Sequence, residues 1–323
     1  MTLVVGIDIA KRTFDLATLQ PNGKHRTKSK LSNDQAGFAV FEDWLQRHAE
    51  PGAWIVMEAT GIYHEALAEH FHALGYRIAV LNPAQIARYA QSQLQRSKTD
   101  KLDAKLIATY GQRHLDHLRA WQPEPLSLRQ LRALTRHLED LQALRQMELN
   151  RLDVSRENVK DSIQAIVQRL NEQIEWTLKQ IKQHIDDDPD LRGKRDLLVS
   201  IDGIADKTAA LILAELGEIE RFTHSRAVTA FAGLDPRLQE SGAFYGRTRI
   251  SRTGSARLRS ALYLPAVVAM TYNPAIKAQV ERLRARGKMG KQTVCAAMRK
   301  LLSIAYGVLK SGKPFDPALA IAH

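Results

Sequence analysis

Apolar and polar positions alternate first with the spacing of strands. Residues 3–9 (Leu-Val-Val-Gly-Ile-Asp-Ile) predict a buried strand and residues 13–19 a second, with Asn22-Gly23 as the turn into a third, more polar strand near 25–31. A helical stretch over 34–48 follows. Then come a strand at 53–58 (Ala-Trp-Ile-Val-Met-Glu), a helix at 62–74 ended by Gly75, and a strand at 77–81. Three hairpin-linked strands followed by alternating helix and strand predict an α/β domain with a mixed sheet.

Beyond Pro123 and Pro125 the period changes to that of long helices. Leu131, Leu134, Leu138 and Leu141 make one seam, and Ile163, Ile166, Leu170, Ile174, Leu178, Ile181 and Ile185 make another. Such seams suit an antiparallel helical hairpin or coiled coil, serving either as a dimerisation surface or as an intramolecular spacer. Asp186-Asp187-Asp188-Pro189 closes the second helix, and a mostly helical region opens near 191. The division expected is 1–122, an α/β catalytic domain; 123–190, a helical coiled-coil linker or dimerisation region; and 191–323, a basic, mostly α domain. Within the last, residues 197–216 read as two helices joined by Asp202-Gly203-Ile204-Ala205. This resembles a helix-hairpin-helix unit, whose turn offers backbone N–H groups to a phosphate; the alternative is a purely structural corner.

Charge sharpens this division. The 323 residues carry a formal net charge of +12. Residues 236–323 hold 16 Lys+Arg against three Asp+Glu, while residues 1–235 hold 31 against 32, so the whole excess sits in the last quarter. A block of that sign predicts salt-sensitive attraction to a polyanion, with nucleic acid favoured over a merely solvated basic face. A quarter of the chain is charged and no apolar run approaches the roughly 18 residues of a membrane span, which excludes a transmembrane protein. The amino terminus lacks the pattern of a secretion signal and Cys295 is the sole cysteine, so the expectation is a soluble cytoplasmic protein without disulfides or a multi-cysteine metal site.

Four carboxylates could carry chemistry. Asp8 lies near the end of the first strand, Glu58 ends another, and Asp100 and Asp103 sit three apart, on one face if their segment is helical. Together they suit Mg²⁺, with Mn²⁺ as a substitute; singly, each reads as a turn, cap or surface acid. Glu58 closes a very apolar strand, where an unpaired buried carboxylate would be costly. The segment 239–252 combines two glycines, four hydroxyl residues and three arginines, which suits close approach to phosphate. Read alone, Ser241 is one loop serine among several. His114 and His117 would share a helical face, but nothing beside them completes zinc spacing. No GxxxxGK[ST] occurs, which disfavours a P-loop NTPase.

These motifs, taken in order, carry a resemblance. Gly6-Ile7-Asp8-Ile9-Ala10-Lys11, Met57-Glu58-Ala59-Thr60-Gly61, Leu81-Asn82-Pro83-Ala84, Lys98-Thr99-Asp100-Lys101-Leu102-Asp103-Ala104, Phe231-Ala232-Gly233-Leu234-Asp235-Pro236, Glu240-Ser241-Gly242 and Ala305-Tyr306-Gly307-Val308-Leu309-Lys310-Ser311-Gly312 resemble transposases of the insertion-sequence 110 family. That group includes the Piv-type DNA invertases. The resemblance covers nearly the whole chain. It implies a RuvC-like, ribonuclease-H-type amino-terminal domain whose DEDD set falls on Asp8, Glu58, Asp100 and Asp103, and a carboxy-terminal transposase domain whose serine nucleophile falls on Ser241. It further implies a structured noncoding bridge RNA pairing with donor and target DNA, and a dimer that assembles into a tetramer with composite sites in a prokaryotic, nucleoid-associated setting.

The function expected is therefore that of an insertion-sequence transposase, cutting and rejoining donor and target DNA through a covalent 5′-phosphoserine intermediate. Candidate nucleic-acid contacts are Arg247, Arg249, Arg252, Arg257 and Arg259, with Lys207 and Gly203 at the helix-hairpin-helix-like turn. The alternatives are a RuvC-like metal-dependent nuclease in which water attacks, and a noncatalytic nucleic-acid-binding protein. An actin-like kinase shares the opening strand pattern but gives no reason for the basic block.

Overall fold

The computed structural model describes residues 3–49, 52–59, 61–93, 100–237, 240–241, 244–245 and 249–318. At residues 100–102, 237, 240, 241, 244, 245 and 249 the description is of the backbone alone. The chain divides into two compact units, 1–123 and 124–323.

The first unit is built on a five-stranded mixed sheet. Strands β1 (Val4–Ile9), β2 (Thr13–Leu19) and β3 (His25–Ser32) form an antiparallel meander, and β4 (Trp54–Glu58) and β5 (Arg77–Leu81) extend it in parallel, giving the order β3-β2-β1-β4-β5. Gly23 adopts φ +78° in the turn between β2 and β3, where the Asn22 Oδ1 accepts from the Lys24 amide at 2.9 Å. Because side chains alternate along a strand, Val5, Ile7 and Ile9 share one face with Phe14, Leu16, Ile55, Met57 and Ile78. That face is covered by α1 (Gln35–His48) and α2 (Glu65–Ala73) through Phe38, Phe41, Trp44, Leu45, Leu67 and Phe71, with the Phe41 and Phe71 rings 4.6 Å apart. Helix α2 starts at Glu65, three residues later than its apolar pattern suggests, because residues 61–64 form a turn with Gly61 at φ +55°.

The opposite face packs Val4, Val56, Ala79 and Leu81 against α3 (Pro83–Ser92) and α4 (Asp100–Arg113). Here α4 lies directly on β1. A Cβ on Gly6 would overlap the Ala108 backbone and meet the Ala104 carbonyl, and one on Gly111 would stand 2.8 Å from Val4 Cγ1. Both glycines are thus required by the close approach of helix to strand. Helix α4 stops at Arg113, and the face that His114 and His117 share is that of a 3₁₀ turn, Leu115–His117, which His114 precedes and His117 closes; their rings lie 6.4 Å apart, and His114 stacks on Tyr110.

In the second unit, α5 (Leu126–Asp153) and α6 (Glu157–Asp187) are joined by Val154–Arg156 and fold back as an antiparallel hairpin. His184 Nε2 meets the Ser127 carbonyl at 2.8 Å near one end, and the Arg145 guanidinium donates to Asn171 Oδ1 farther along. The Asp188 carboxylate caps α7 (Pro189–Val199), accepting from the Asp190 and Leu191 amides. With Pro189 at the first helical position, that cap starts α7 slightly ahead of residue 191. There follow α8 (Asp206–Leu216), α9 (Ser225–Phe231), the two-residue strands β6 (Pro236–Arg237), β7 (Glu240–Ser241), β8 (Phe244–Tyr245) and β9 (Arg249–Ile250), then α10 (Ala256–Ala261), α11 (Tyr263–Tyr272), α12 (Pro274–Ala285) and α13 (Lys291–Ser311).

Leu128, Leu131, Leu138 and Leu141 of α5 and Ile174, Ile181 and Ile185 of α6 are buried in the same apolar core as α7–α13. The half of the hairpin near 128–141 and 174–185 therefore packs as part of the carboxy-terminal fold. Leu144, Met147, Val159, Ile166 and Trp176 are exposed. Among the described residues no helix is long and apolar enough to cross a membrane.

Candidate carboxylate site and nucleic-acid interface

Register brings the first two carboxylates together. Parallel pairing sets Gly6 beside Val56 and Ile7 beside Met57, so one step farther Asp8 stands beside Glu58 at the carboxyl ends of both strands. Both residues alternate away from the core-facing Ile7 and Met57, onto the sheet face that carries α4. Gly111 lies over Val4 at the start of β1, and Ala104 and Ala108 lie over Gly6 in its middle, so α4 runs antiparallel to the strand. Its first turn, Asp100 to Asp103, is consequently directed to the end of β1 where Asp8 stands. The Asp103 side chain is half-buried; that of Asp100 lies outside the description.

A fifth carboxylate was missed from the sequence. Asp15 of β2 is the antiparallel partner of Asp8 and shares its face. The signal was present, since Asp15 interrupts an otherwise apolar run between Phe14 and Leu16. Its Oδ1 accepts from the Lys30 amide at 2.6 Å, where Lys30 takes the left-handed φ of +58°, so it also fixes an irregularity in β3.

Like charges on directly opposed sheet positions repel. A face carrying Asp15, Asp8 and Glu58 on three neighbouring strands therefore suits a cation, and its hard oxygen donors are those of Mg²⁺ or Mn²⁺. Among the described residues no three His, Cys, Asp or Glu side chains close on a single point tightly enough to hold an ion.

In the second unit, Ser241 lies on β7, whose backbone pairs with β8 in the register Glu240 to Tyr245 and Ser241 to Phe244. The base of this segment is the β6–β9 pair, with Pro236 opposite Ile250. Polar bonds anchor that base from several directions. Asp235 accepts from Thr229 Oγ1 of α9 at 2.7 Å and faces the Arg299 guanidinium of α13 at 3.4 Å, while its carbonyl accepts from the Ser251 amide. Arg252, at φ +56°, donates its amide to the Gly233 carbonyl, and Arg259 donates to the Ala232 carbonyl. A Cβ on Gly254 would overlap the Phe231 carbonyl. Asp235 stood in the sequence only as part of the Phe231–Pro236 motif, without this anchoring role, and Thr229, Arg299 and Gly254 were not found from sequence.

Of the expected cationic contacts, Arg247 lies outside the described residues and Arg249 is described only in its backbone. Arg257 of α10 pairs with Glu139 of α5 at 2.8 Å. Together with Lys207, Gln142 and Ser260 they line a cleft of about 430 Å³. Gly203, at φ +104°, is needed for packing: a Cβ there would lie 2.7 Å from Ala269 and 2.9 Å from the Pro265 carbonyl of α11. The following helix begins with Asp206, which faces the Arg195 guanidinium at 3.4 Å, so the amino end of α8 already has an anion beside it.

Arg132 braces α5 to α8, donating to the Ala214 carbonyl and, through two bonds, to Glu124. Burial by itself would raise the Glu124 carboxyl; bonding to Arg132 and the charges of Arg132, Arg221 and Arg129 outweigh it and hold the group below the usual carboxylate range.

Residues 5–155 match a DEDD-type IS110 family model described as a transposase, and residues 195–281 match the model of the transposase IS116/IS110/IS902 family. The chain is 34% identical over 316 residues to the pilin gene-inverting protein of Moraxella bovis, covering 97% of each chain. It belongs to the IS110-family transposases. A pilin gene-inverting protein of Moraxella lacunata is equally similar, and the transposase for insertion sequence element IS1328 of Yersinia enterocolitica is 24% identical over 362 aligned positions, covering 97% of this chain and 98% of its own. Membership of the IS110 family makes the chain a DNA-processing transposase or recombinase with DNA as its substrate.

Proposed function

We propose that this IS110-family transposase cuts and rejoins donor and target DNA by reversible attack of Ser241 on a phosphodiester, at a site completed by Asp8, Glu58, Asp100 and Asp103. The observation that carries the reading is the pairing of Ile7 with Met57, which puts Asp8 and Glu58 next along two adjacent strands on one sheet face, with the first turn of α4 directed to the same end. These four carboxylates would hold Mg²⁺, or Mn²⁺ in its place. When bound, the ion supplies charge stabilisation to the phosphate oxygens during displacement.

The Ser241 Oγ forms the new bond to phosphorus as the bond to the 3′-oxygen breaks. The serine proton ends on that oxygen, leaving a 5′-phosphoserine and a free 3′-hydroxyl. Reversal by a different 3′-hydroxyl rejoins the strands and restores the serine without external energy. Arg247, Arg249 and Arg252 flank the nucleophile in sequence and are assigned to the phosphate charge; Arg257, Arg259 and Lys207 are assigned to backbone contacts over the basic block, whereas Gly203, packed against Pro265 and Ala269, is not. Arg257 must exchange its bond to Glu139 to do so.

A structured bridge RNA selects the two DNAs, and dimers pair into a tetramer in which the carboxylates of one subunit serve Ser241 of another. The exposed Leu144, Met147, Val159, Ile166 and Trp176 of the α5–α6 hairpin support association through that region. The test is cleavage of end-labelled donor and target DNA by purified protein with RNA. Asp8→Asn and Glu58→Gln should bind nucleic acid at parental salt dependence and break no strands; strand breakage undiminished in both variants would contradict the reading.

A further inference from the structure

Asn33, between β3 and α1, joins the two loops that leave the carboxylate-bearing strands. Its Nδ2 donates to the Ala10 carbonyl at 3.1 Å and to the Tyr63 carbonyl at 3.0 Å. Its backbone amide donates to the Arg12 carbonyl at 2.9 Å. Ala10 lies two residues beyond Asp8 and Tyr63 five beyond Glu58, so one side chain ties the continuation of β1 to that of β4 just past the pair.

The chemistry of the tie admits few substitutes. Both partners are carbonyl oxygens, so the side chain must present an NH₂ group to them, which fixes the orientation of the amide. An isosteric carboxylate would set oxygen against oxygen, and a hydroxyl has only one proton to give. The Asn33 Oδ1 is buried with no partner among the described residues. The hydrogen bonds of the side-chain amide are thus made through its NH₂ group, both of them to the two loops.

We infer that Asn33 is a positioning residue for the carboxylate site, steadying the ends of β1 and β4 that carry Asp8 and Glu58 by bridging the loops that follow them. This rests on the metal-site reading above. Outer partners that orient ligands typically change metal affinity by about 10- to 100-fold when removed, a range that sets the expected effect.

The experiment measures Mn²⁺ uptake by the full chain without nucleic acid, from the paramagnetic signal of the free ion, in parent, Asn33→Ala, Asn33→Asp and Asp34→Ala. Asp34 caps the adjacent helix by accepting from the Gly37 amide and, among the described residues, has no hydrogen bond to either loop, so its loss tests general loosening. Circular dichroism identifies any variant that fails to fold, and Asn33→Ser serves as a milder replacement. The expected result is half-saturation raised about tenfold or more in the folded Asn33 variants and unchanged in Asp34→Ala. Uptake equal in parent and Asn33 variants, or weakened alike in Asp34→Ala, would overturn the brace and leave the metal site standing. No uptake by the parent would overturn the metal site itself and the brace with it.

Discussion

The carboxylate end of the first unit and the Ser241 segment of the second are built by opposite means. Asp8 and Glu58 are held by adjacent backbone register in a sheet buried on both faces, with a helix resting directly on Gly6. Ser241 sits on a two-residue strand whose base is anchored by polar side chains reaching in from α9, α10 and α13. Close packing sets the position of a ligand group within a narrow range. The described ends of the Ser241 segment are instead held by a few polar bonds, which suits the nucleophile role proposed for Ser241.

The largest effect is expected at the carboxylates. Asp8→Asn should lower single-turnover strand cleavage by about 10²–10³-fold or more, the scale of losing a group that acts on charge developing in the transition state. Nucleic-acid affinity should hold, and cleavage within tenfold of the parent would contradict that role. Next, Gly6→Ala forces a Cβ into the α4 backbone and should destabilise the first unit by about 1–3 kcal/mol in urea unfolding, with cleavage falling alongside. An unchanged midpoint would show that α4 does not rest on β1 as described.

The polar anchor should be softer. Asp235→Ala removes the acceptor of Thr229 and the partner of Arg299 and should cost about 1–3 kcal/mol in the second unit, with slower adduct formation and unaltered Mn²⁺ uptake. Mn²⁺ uptake that fell in this variant would argue against separate construction of the two regions. The smallest effect concerns Glu124. Its folded-state carboxyl lies below the ordinary range, so its contribution to stability is present above the unfolded-state value and is lost as pH falls through the depressed one. Glu124→Gln should therefore flatten the acid limb of the stability profile; an unchanged slope would remove the Arg132 bond as its cause.

The elements of the sheet were legible because strand period and turn chemistry are local. Val5, Ile7 and Ile9 alternate with Asp8, and Asn22-Gly23 marks its own turn. Asp8 and Glu58 were legible as two strand ends; that β1 and β4 are neighbours was not, nor was the need for Gly6, which depends on a helix about a hundred residues away in sequence. The seam of α5 announced a helical partner, but not that Leu128 to Leu141 would also share the core of α7–α13. Gly203 suggested phosphate approach, whereas the space it leaves is taken by Pro265 and Ala269. Asp235, Arg299 and the Arg257–Glu139 pair act through contacts between distant segments, for which one sequence carries no period or spacing.

The most direct test of the account is the chemical fate of the cut strand. Protein, candidate RNA and Mg²⁺ are incubated with 5′- and 3′-labelled donor and target DNA, quenched in denaturant, and any protein-linked DNA is digested and mapped by peptide. The expected product is a denaturant-resistant adduct joined through a 5′-phosphate to Ser241, absent with chelator and absent in Ser241→Ala while nucleic-acid binding persists. Cut DNA with no covalent protein, or an adduct that survives Ser241→Ala, would contradict it.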